Sequence, residues 1–240
     1  MLALRAIVFD LDDTLYPERA YVLSGFQAVA TWAEKHLGIP ATQGLAELRQ
    51  LFDDGVRGDT FNRWLESHGL PPDNWVPQMV QIYREHHPYI VPYPEVPGLL
   101  QRLRSRYRLG LVTDGHPEVQ KRKLAALGLA SWFDTLVFSD EWGREAWKPN
   151  TRPFEIALER LGIPGPEAIY VADNPLKDFL GARRAGMCTV RIRCPDGLYS
   201  HLEPPAPEYA PDFEIKSLDR LEAILSQIGG ALDASSYVIS

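Results

Sequence analysis

Five apolar runs of strand length recur along the chain: RAIVFD at 5–10, RLGLVTD at 108–114, DTLVFSD at 134–140, AIYVAD at 168–173 and CTVRIR at 188–193. Four of the five end in aspartate. Amphipathic helical stretches separate most of them. VPGLLQRLRSRY carries Leu99, Leu100, Leu103 and Tyr107 on one stripe, HPEVQKRKLAALGL is another, and TRPFEIALERLG opens at a Thr151 cap and stops at Gly162. Strands this continuously apolar need cover on both faces, and their alternation with helices makes the sheet parallel. The expected fold class is α/β, with a doubly wound sheet.

One interval breaks the alternation. More than ninety residues between the first and second runs contain no convincing strand. Val22, Phe26, Val29, Ala33 and Leu37 recur at helical spacing, and shorter helical pieces follow at GLAELRQLF, DTFNRWLESHG and WVPQMVQIYREHH. This reads as an all-helical insert left through Pro88, Pro92, Pro94 and Pro97, a semi-rigid linker. The expected division is a core of 1–15 and 92–228, a helical unit of 16–91, and a tail of 229–240 read as disordered. A second proline-rich excursion spans 194–211.

With 240 residues, 45% of them hydrophobic, the chain can bury a sizeable core. Its net charge of -7 argues against nucleic-acid or anionic-membrane partners, although a bound metal can invert the charge of a site locally. No run reaches membrane-spanning length, and the N-terminal one is too short for a secretory signal. Cys188 and Cys194 are too few for a zinc site or a disulfide framework, so a reducing cytoplasm is expected.

Ligands of open parallel sheets bind beyond the carboxyl ends of the strands, where strand order reverses. Asp10 and Asp12 leave the first strand, Thr113 and Asp114 the second, Asp140 the third, and Asp173 and Asp178 the fourth. Converged and ionised, such groups are costly to hold, and an all-oxygen set suits Mg²⁺ as the compensating ion. Each piece has a plain alternative. Asp173, Asn174 and Asp178 would serve equally to cap a helix, Thr113 is unremarkable at a strand end, and Lys148 before Pro149 would pass for a solvated loop lysine. Their order along the chain, one element per strand end with the lysine between the third and fourth, favours a single site.

In that order the segments FDLDDT (Asp10, Asp12, Thr14), LVTDG (Thr113), WKP (Lys148) and VADNPLKD (Asp173, Asp178) resemble the motifs of the haloacid dehalogenase superfamily, in its subgroup with a helical cap after the first strand. The resemblance runs to about residue 225 and implies a Rossmann-like core and a Mg²⁺-dependent phosphatase acting on a small phosphomonoester. It implies that Asp10 is the nucleophile and forms an aspartyl-phosphate. Asp12 would be the general acid and base, and also a metal ligand through its backbone carbonyl. Asp10 and Asp173 would hold the metal with Asp178 in support, while Thr113, Asp114, Gly115 and Lys148 would bind the phosphoryl group. Asp13 falls outside this set.

The chain departs from the family pattern in places. Asp114 stands where asparagine is common and is expected to face the cap or a substrate hydroxyl. EWGREAWKP is about two residues longer than usual before its lysine, and Ala172 replaces a frequent glycine. Substrate contacts are expected at Tyr16, Glu18, Arg19 and Arg57, with Tyr199 or His201 approaching from the second excursion. Trp32, Trp64 and Trp75 offer aromatic area for contact with a further copy. A carbon–halogen hydrolase would need neither Asp12 nor Asp173. A phosphonatase would want a cap lysine, and Lys35 alone is available. A sugar-phosphate mutase or a non-catalytic phosphate-binding regulator remains an alternative on the same core.

Overall fold

The computed structural model describes residues 3–234. Ala6–Phe9 forms β1, with all four side chains buried. Four helices follow: α1 (Glu18–Leu37), α2 (Ala41–Asp53), α3 (Thr60–Ser67) and α4 (Pro72–Glu85). The alternating part of the chain then runs α5 (Val96–Arg104), β2 (Arg108–Thr113), α6 (Pro117–Leu127), β3 (Thr135–Phe138), α7 (Arg152–Leu161), β4 (Ala168–Ala172), α8 (Asp178–Arg184) and β5 (Cys188–Ile192). It closes with β6 (Phe213–Ile215) and α9 (Leu221–Ala234).

The strands form one sheet in the order β3-β2-β1-β4-β5-β6, every pairing parallel. The direction of winding reverses at β1, which pairs Phe9 with Leu111 on one side and Val171 on the other. The carboxyl ends of β1, β2 and β4 therefore lie side by side, the position at which doubly wound sheets bind ligands. On one face Val8, Val112, Val137 and Tyr170 pack with Phe154, Ala157 and Leu161 of α7 and Phe179 of α8. Gly181 lets α8 approach closely, since a Cβ there would stand 2.5 Å from the Pro149 carbonyl oxygen.

The expected α/β class and parallel doubly wound sheet are what the chain adopts. The sequence shows no sign of the sixth strand, FEI, because three residues just after a proline-rich stretch carry no periodic signal. Thr151 occupies the position before α7, yet its side chain makes no capping bond; the Arg152 N–H donates to Asn150 Oδ1 instead. Gly162 ends α7 in the left-handed conformation, as its sequence position suggested.

Two compact units are present, one combining the residues up to Glu18 with those from Val91 onward, the other Arg19–Ile90. The first boundary falls past the expected 15/16 because Tyr16 is buried beside Asp12 and the Glu18 N–H donates to Asp13 Oδ1. The expected tail at 229–240 is helical as far as Ala234, since glycine lowers helix propensity by about 1 kcal/mol without forbidding it. Residues 235–240 lie outside the described residues.

The helical unit has its own core. Phe26 meets Phe52, Phe61 and Tyr83, and Gly25 packs directly against the Tyr83 ring. Trp64 is fully buried and donates its indole N–H to Glu47, which rules it out as a contact surface. Trp32 is half-buried and stacks on His36.

Candidate active site

Asp10 follows the last residue of β1, and its N–H donates to the Val171 carbonyl, so the sheet ladder itself fixes the backbone of the motif. Lys148 is delivered by the loop between β3 and α7. Its Nζ lies 2.7 Å from Asp10 Oδ1, 2.8 Å from Asp178 Oδ1 and 3.0 Å from the Tyr170 hydroxyl. Burial pushes Asp10 up to about 6, with Lys148 working against that shift and Asp178 adding to it. Burial would lower Lys148, but Asp10 and Asp178 outweigh it and hold the ammonium well above its ordinary value. Asp173 is raised well above the usual carboxylate range by burial, with Asp178 and Asp10 adding to the shift.

Asp10, Asp173 and Asp178 each offer a carboxylate oxygen within 4.8 Å of the others. Asp173 Oδ2 is buried with no hydrogen-bond partner. Three hard oxygen donors, one of them orphaned, against a single fully buried lysine make a donor set that fits a hard divalent cation.

Thr113 ends β2, buried, and its hydroxyl accepts from Gln120 Nε2 at 2.6 Å. Gly115 adopts φ +105°, a conformation that favours glycine at this turn. Asp114, expected to face the cap or a substrate hydroxyl, is instead bonded to groups from neighbouring strand ends. Its Oδ1 accepts from Ser139 Oγ at 2.7 Å and from the Lys148 N–H at 3.2 Å, and its Oδ2 pairs with Lys177 Nζ at 3.0 Å. Burial would raise its titration, but the Lys148 and Lys177 charges outweigh it and hold the carboxyl below the ordinary value. The charge of this unusual aspartate is thus answered inside the core.

Asp12 is half-buried and accepts from three side chains. Tyr16 donates its hydroxyl to Oδ1, Lys123 Nζ lies 2.7 Å from the same oxygen, and Gln120 Nε2 donates to Oδ2 at 2.9 Å. Burial works to raise Asp12, and these donors outweigh it, Lys123 foremost. Tyr16 is therefore a partner of Asp12 rather than an open substrate contact. Asp13, set aside by sequence, is buried at φ 51°, accepting the Glu18 N–H on Oδ1 and the Leu198 N–H on Oδ2, each at 2.7 Å. Thr14 is buried with an unpartnered hydroxyl. Asp140 accepts the Trp147 indole N–H at 2.7 Å and so shapes the long loop before Lys148.

Arg19 and Arg57 belong to the helical unit, where both lie over the Phe52 ring. Arg19 pairs with Asp53, and Arg57, 3.7 Å above the ring, donates to the carbonyls of Phe52 and Val56. Arg57, expected as a substrate contact, is thus spent on the end of α2. The second excursion is tied down by the buried Arg191, which donates to the Asp173, Tyr199 and Leu202 carbonyls. His201 is exposed. Cys188 and Cys194 are free thiols.

Sequence reasoning missed Gln120, Lys123, Lys177, Ser139 and Tyr170. A signal existed for the first two: the buried stripe of α6 through Leu124 and Leu127 continues back onto Lys123 and Gln120, polar residues at core positions.

A buried lysine shared among carboxylates at the switch point of a parallel sheet is the arrangement of an α/β enzyme that handles an anionic group. Known proteins agree. The profile of the haloacid dehalogenase-like hydrolases matches residues 7–192. The chain is 37% identical over 221 residues to a glyceraldehyde 3-phosphate phosphatase of Methanopyrus kandleri, covering 88% of this chain and 93% of that one. It is 34% identical over 190 residues to a phosphoserine phosphatase of Thermus thermophilus, covering 79% and 70%. It is also similar to the crystal structure of a HAD phosphatase from Thermococcus onnurineus, with TM-score 0.61, 27% identity, and 92% and 98% coverage. This chain belongs to the haloacid dehalogenase-like hydrolase family. No helix among the described residues is long and apolar enough to cross a membrane.

Proposed function

We propose that this phosphatase hydrolyses a small phosphomonoester in two steps, through an aspartyl-phosphate on Asp10. The observation that carries the reading is the Lys148 ammonium shared by Asp10 and Asp178, beside the orphaned oxygen of Asp173. Asp10 and Asp173, with the Asp12 backbone carbonyl and with Asp178 in support, would hold Mg²⁺, which when bound offsets the charge of the carboxylates and of the phosphoryl oxygens.

In the first step an Asp10 carboxylate oxygen attacks phosphorus. The ester P–O bond breaks, its electron pair leaves on the alcohol oxygen, and that oxygen takes a proton from Asp12. In the second step a water oxygen attacks phosphorus and gives a proton back to Asp12. The acyl-phosphate P–O bond breaks, releasing inorganic phosphate and restoring the Asp10 carboxylate. Lys148, the Thr113 hydroxyl and the backbone of Asp114 and Gly115 orient the phosphoryl group throughout, the main service a protein provides in such transfers.

The two curated relatives are named for glyceraldehyde 3-phosphate and phosphoserine, both phosphomonoesters of three-carbon molecules. Substrates of this size lead the reading, and free thiols suit a reducing cytoplasm. The test is phosphate release from a panel of three-carbon phosphates, sugar phosphates and nucleotides, with and without Mg²⁺, alongside Asp10→Asn. Mg²⁺-dependent release abolished in Asp10→Asn is expected. Release that survives Asp10→Asn would remove the aspartyl-phosphate.

A further inference from the structure

We propose that Lys123, with Gln120 one turn before it on α6, is a positioning residue that fixes which oxygen of Asp12 exchanges the proton. This rests on the reading of Asp12 as the acid and base. Gln120 and Lys123 are 2% and 5% exposed, deeper than such side chains ordinarily lie. They are three residues apart, so one helix face presents both.

The carboxylate has two oxygens, each able to accept about two hydrogen bonds. On Oδ1 both places are taken, by the Tyr16 hydroxyl and the Lys123 ammonium. On Oδ2 Gln120 fills one place, and the same amide nitrogen also donates to the Thr113 hydroxyl. One lone pair of Oδ2 remains, and there the proton is carried to the leaving alcohol and recovered from the attacking water. Without Lys123 the carboxylate keeps only one donor on each oxygen, Tyr16 on Oδ1 and Gln120 on Oδ2, so the two oxygens are no longer distinguished and proton transfer loses its geometry. A misplacement on this scale is enough to cost orders of magnitude in rate.

The consequence is selective. An alkyl phosphate needs a proton on its leaving oxygen as the ester bond breaks, whereas 2,4-dinitrophenyl phosphate expels a stable phenolate without one. A residue that positions the acid therefore affects the first far more than the second. A residue that merely holds the fold affects both alike.

The experiment compares kcat/KM for glyceraldehyde 3-phosphate and 2,4-dinitrophenyl phosphate in the Mg²⁺-loaded protein, for wild type, Lys123→Met and Asp12→Asn. This ratio reports only steps through the first phosphoryl transfer. In Lys123→Met the alkyl-to-aryl ratio should fall about 10²-fold, the lower part of the range for acid–base catalysis, and Asp12→Asn should shift it in the same direction. Lys123→Gln keeps a donor and should recover part of the ratio; it also serves if Lys123→Met does not fold. An equal loss on both esters in Lys123→Met, with Asp12→Asn selective, would overturn the positioning role alone. No selectivity in Asp12→Asn would overturn the role of Asp12 and this proposal with it.

Discussion

Lys148 Nζ lies 2.7 Å from Asp10 Oδ1, with both side chains buried. The residue at the end of β1 thus receives its counter-charge from a loop 138 positions later in the chain. Removing one member of a buried pair strands the other, and the cost is about 3–5 kcal/mol. Lys148→Met is therefore expected to lower stability by about that amount, read from urea unfolding without metal. Its kcat should fall about 10²–10³-fold, as for loss of a preorganised charge contact. Folded Lys148→Met that keeps more than about a tenth of the wild-type kcat would show that the ammonium does not serve the transfer.

The Asp10 carboxyl, pushed up to about 6 by burial, makes the metal-free protein sensitive to pH. A carboxyl whose folded value lies above its unfolded value near 3.8 favours folding fully below 3.8 and loses that contribution as pH rises through 6. In EDTA-treated protein, Asp10→Asn should match wild type in Tm near pH 4 and exceed it near pH 7.5. Excess Mg²⁺ should narrow the difference at the higher pH, because metal binding displaces protons from its ligands. Parallel Tm profiles for the two proteins would dismiss the shift.

Asp114 is held by Ser139, the Lys148 N–H and Lys177, whose side chain is 34% exposed. Asp114→Asn keeps an acceptor for the first two and frees the Lys177 charge. Stability should change by less than about 1 kcal/mol, since a partly exposed pair is worth little. KM for an anionic ester should fall by about threefold at low salt, with the effect shrinking as salt is added. A higher KM would place the Asp114 charge in substrate binding after all.

Asp13 joins the start of α1 to the second proline-rich excursion through two backbone N–H groups. Asp13→Ala leaves both unsatisfied and sets an alanine at positive φ, for a cost of about 2–4 kcal/mol. Asp13→Asn retains one acceptor and tolerates the left-handed region, so about 1 kcal/mol is expected. Hydrogen exchange at the Leu198 amide should speed up in both. Unchanged exchange in Asp13→Ala would mean that the excursion is anchored without Asp13, by Arg191 and Arg193.

Much of this protein is written locally. The unbroken apolar runs of the strands, the period near four in the helices, and the left-handed glycine after α7 are short-range facts, and they suffice for a parallel α/β core and an inserted helical unit. The strand-end positions of Asp10, Thr113 and Asp173 follow too, because a strand ends where its apolar run ends. What the sequence by itself could not decide was where each side chain spends its hydrogen bonds. Asp114 turned inward because Lys177 and Ser139, from two other strand ends, were there to receive it. Tyr16 and Lys123 are separated by more than a hundred residues, yet share one oxygen of Asp12. Only the packing of α6 against the β1 loop brings them together. Local propensity determines elements, whereas the partner of a charge is set by whichever group the folded chain brings within about 3 Å of it.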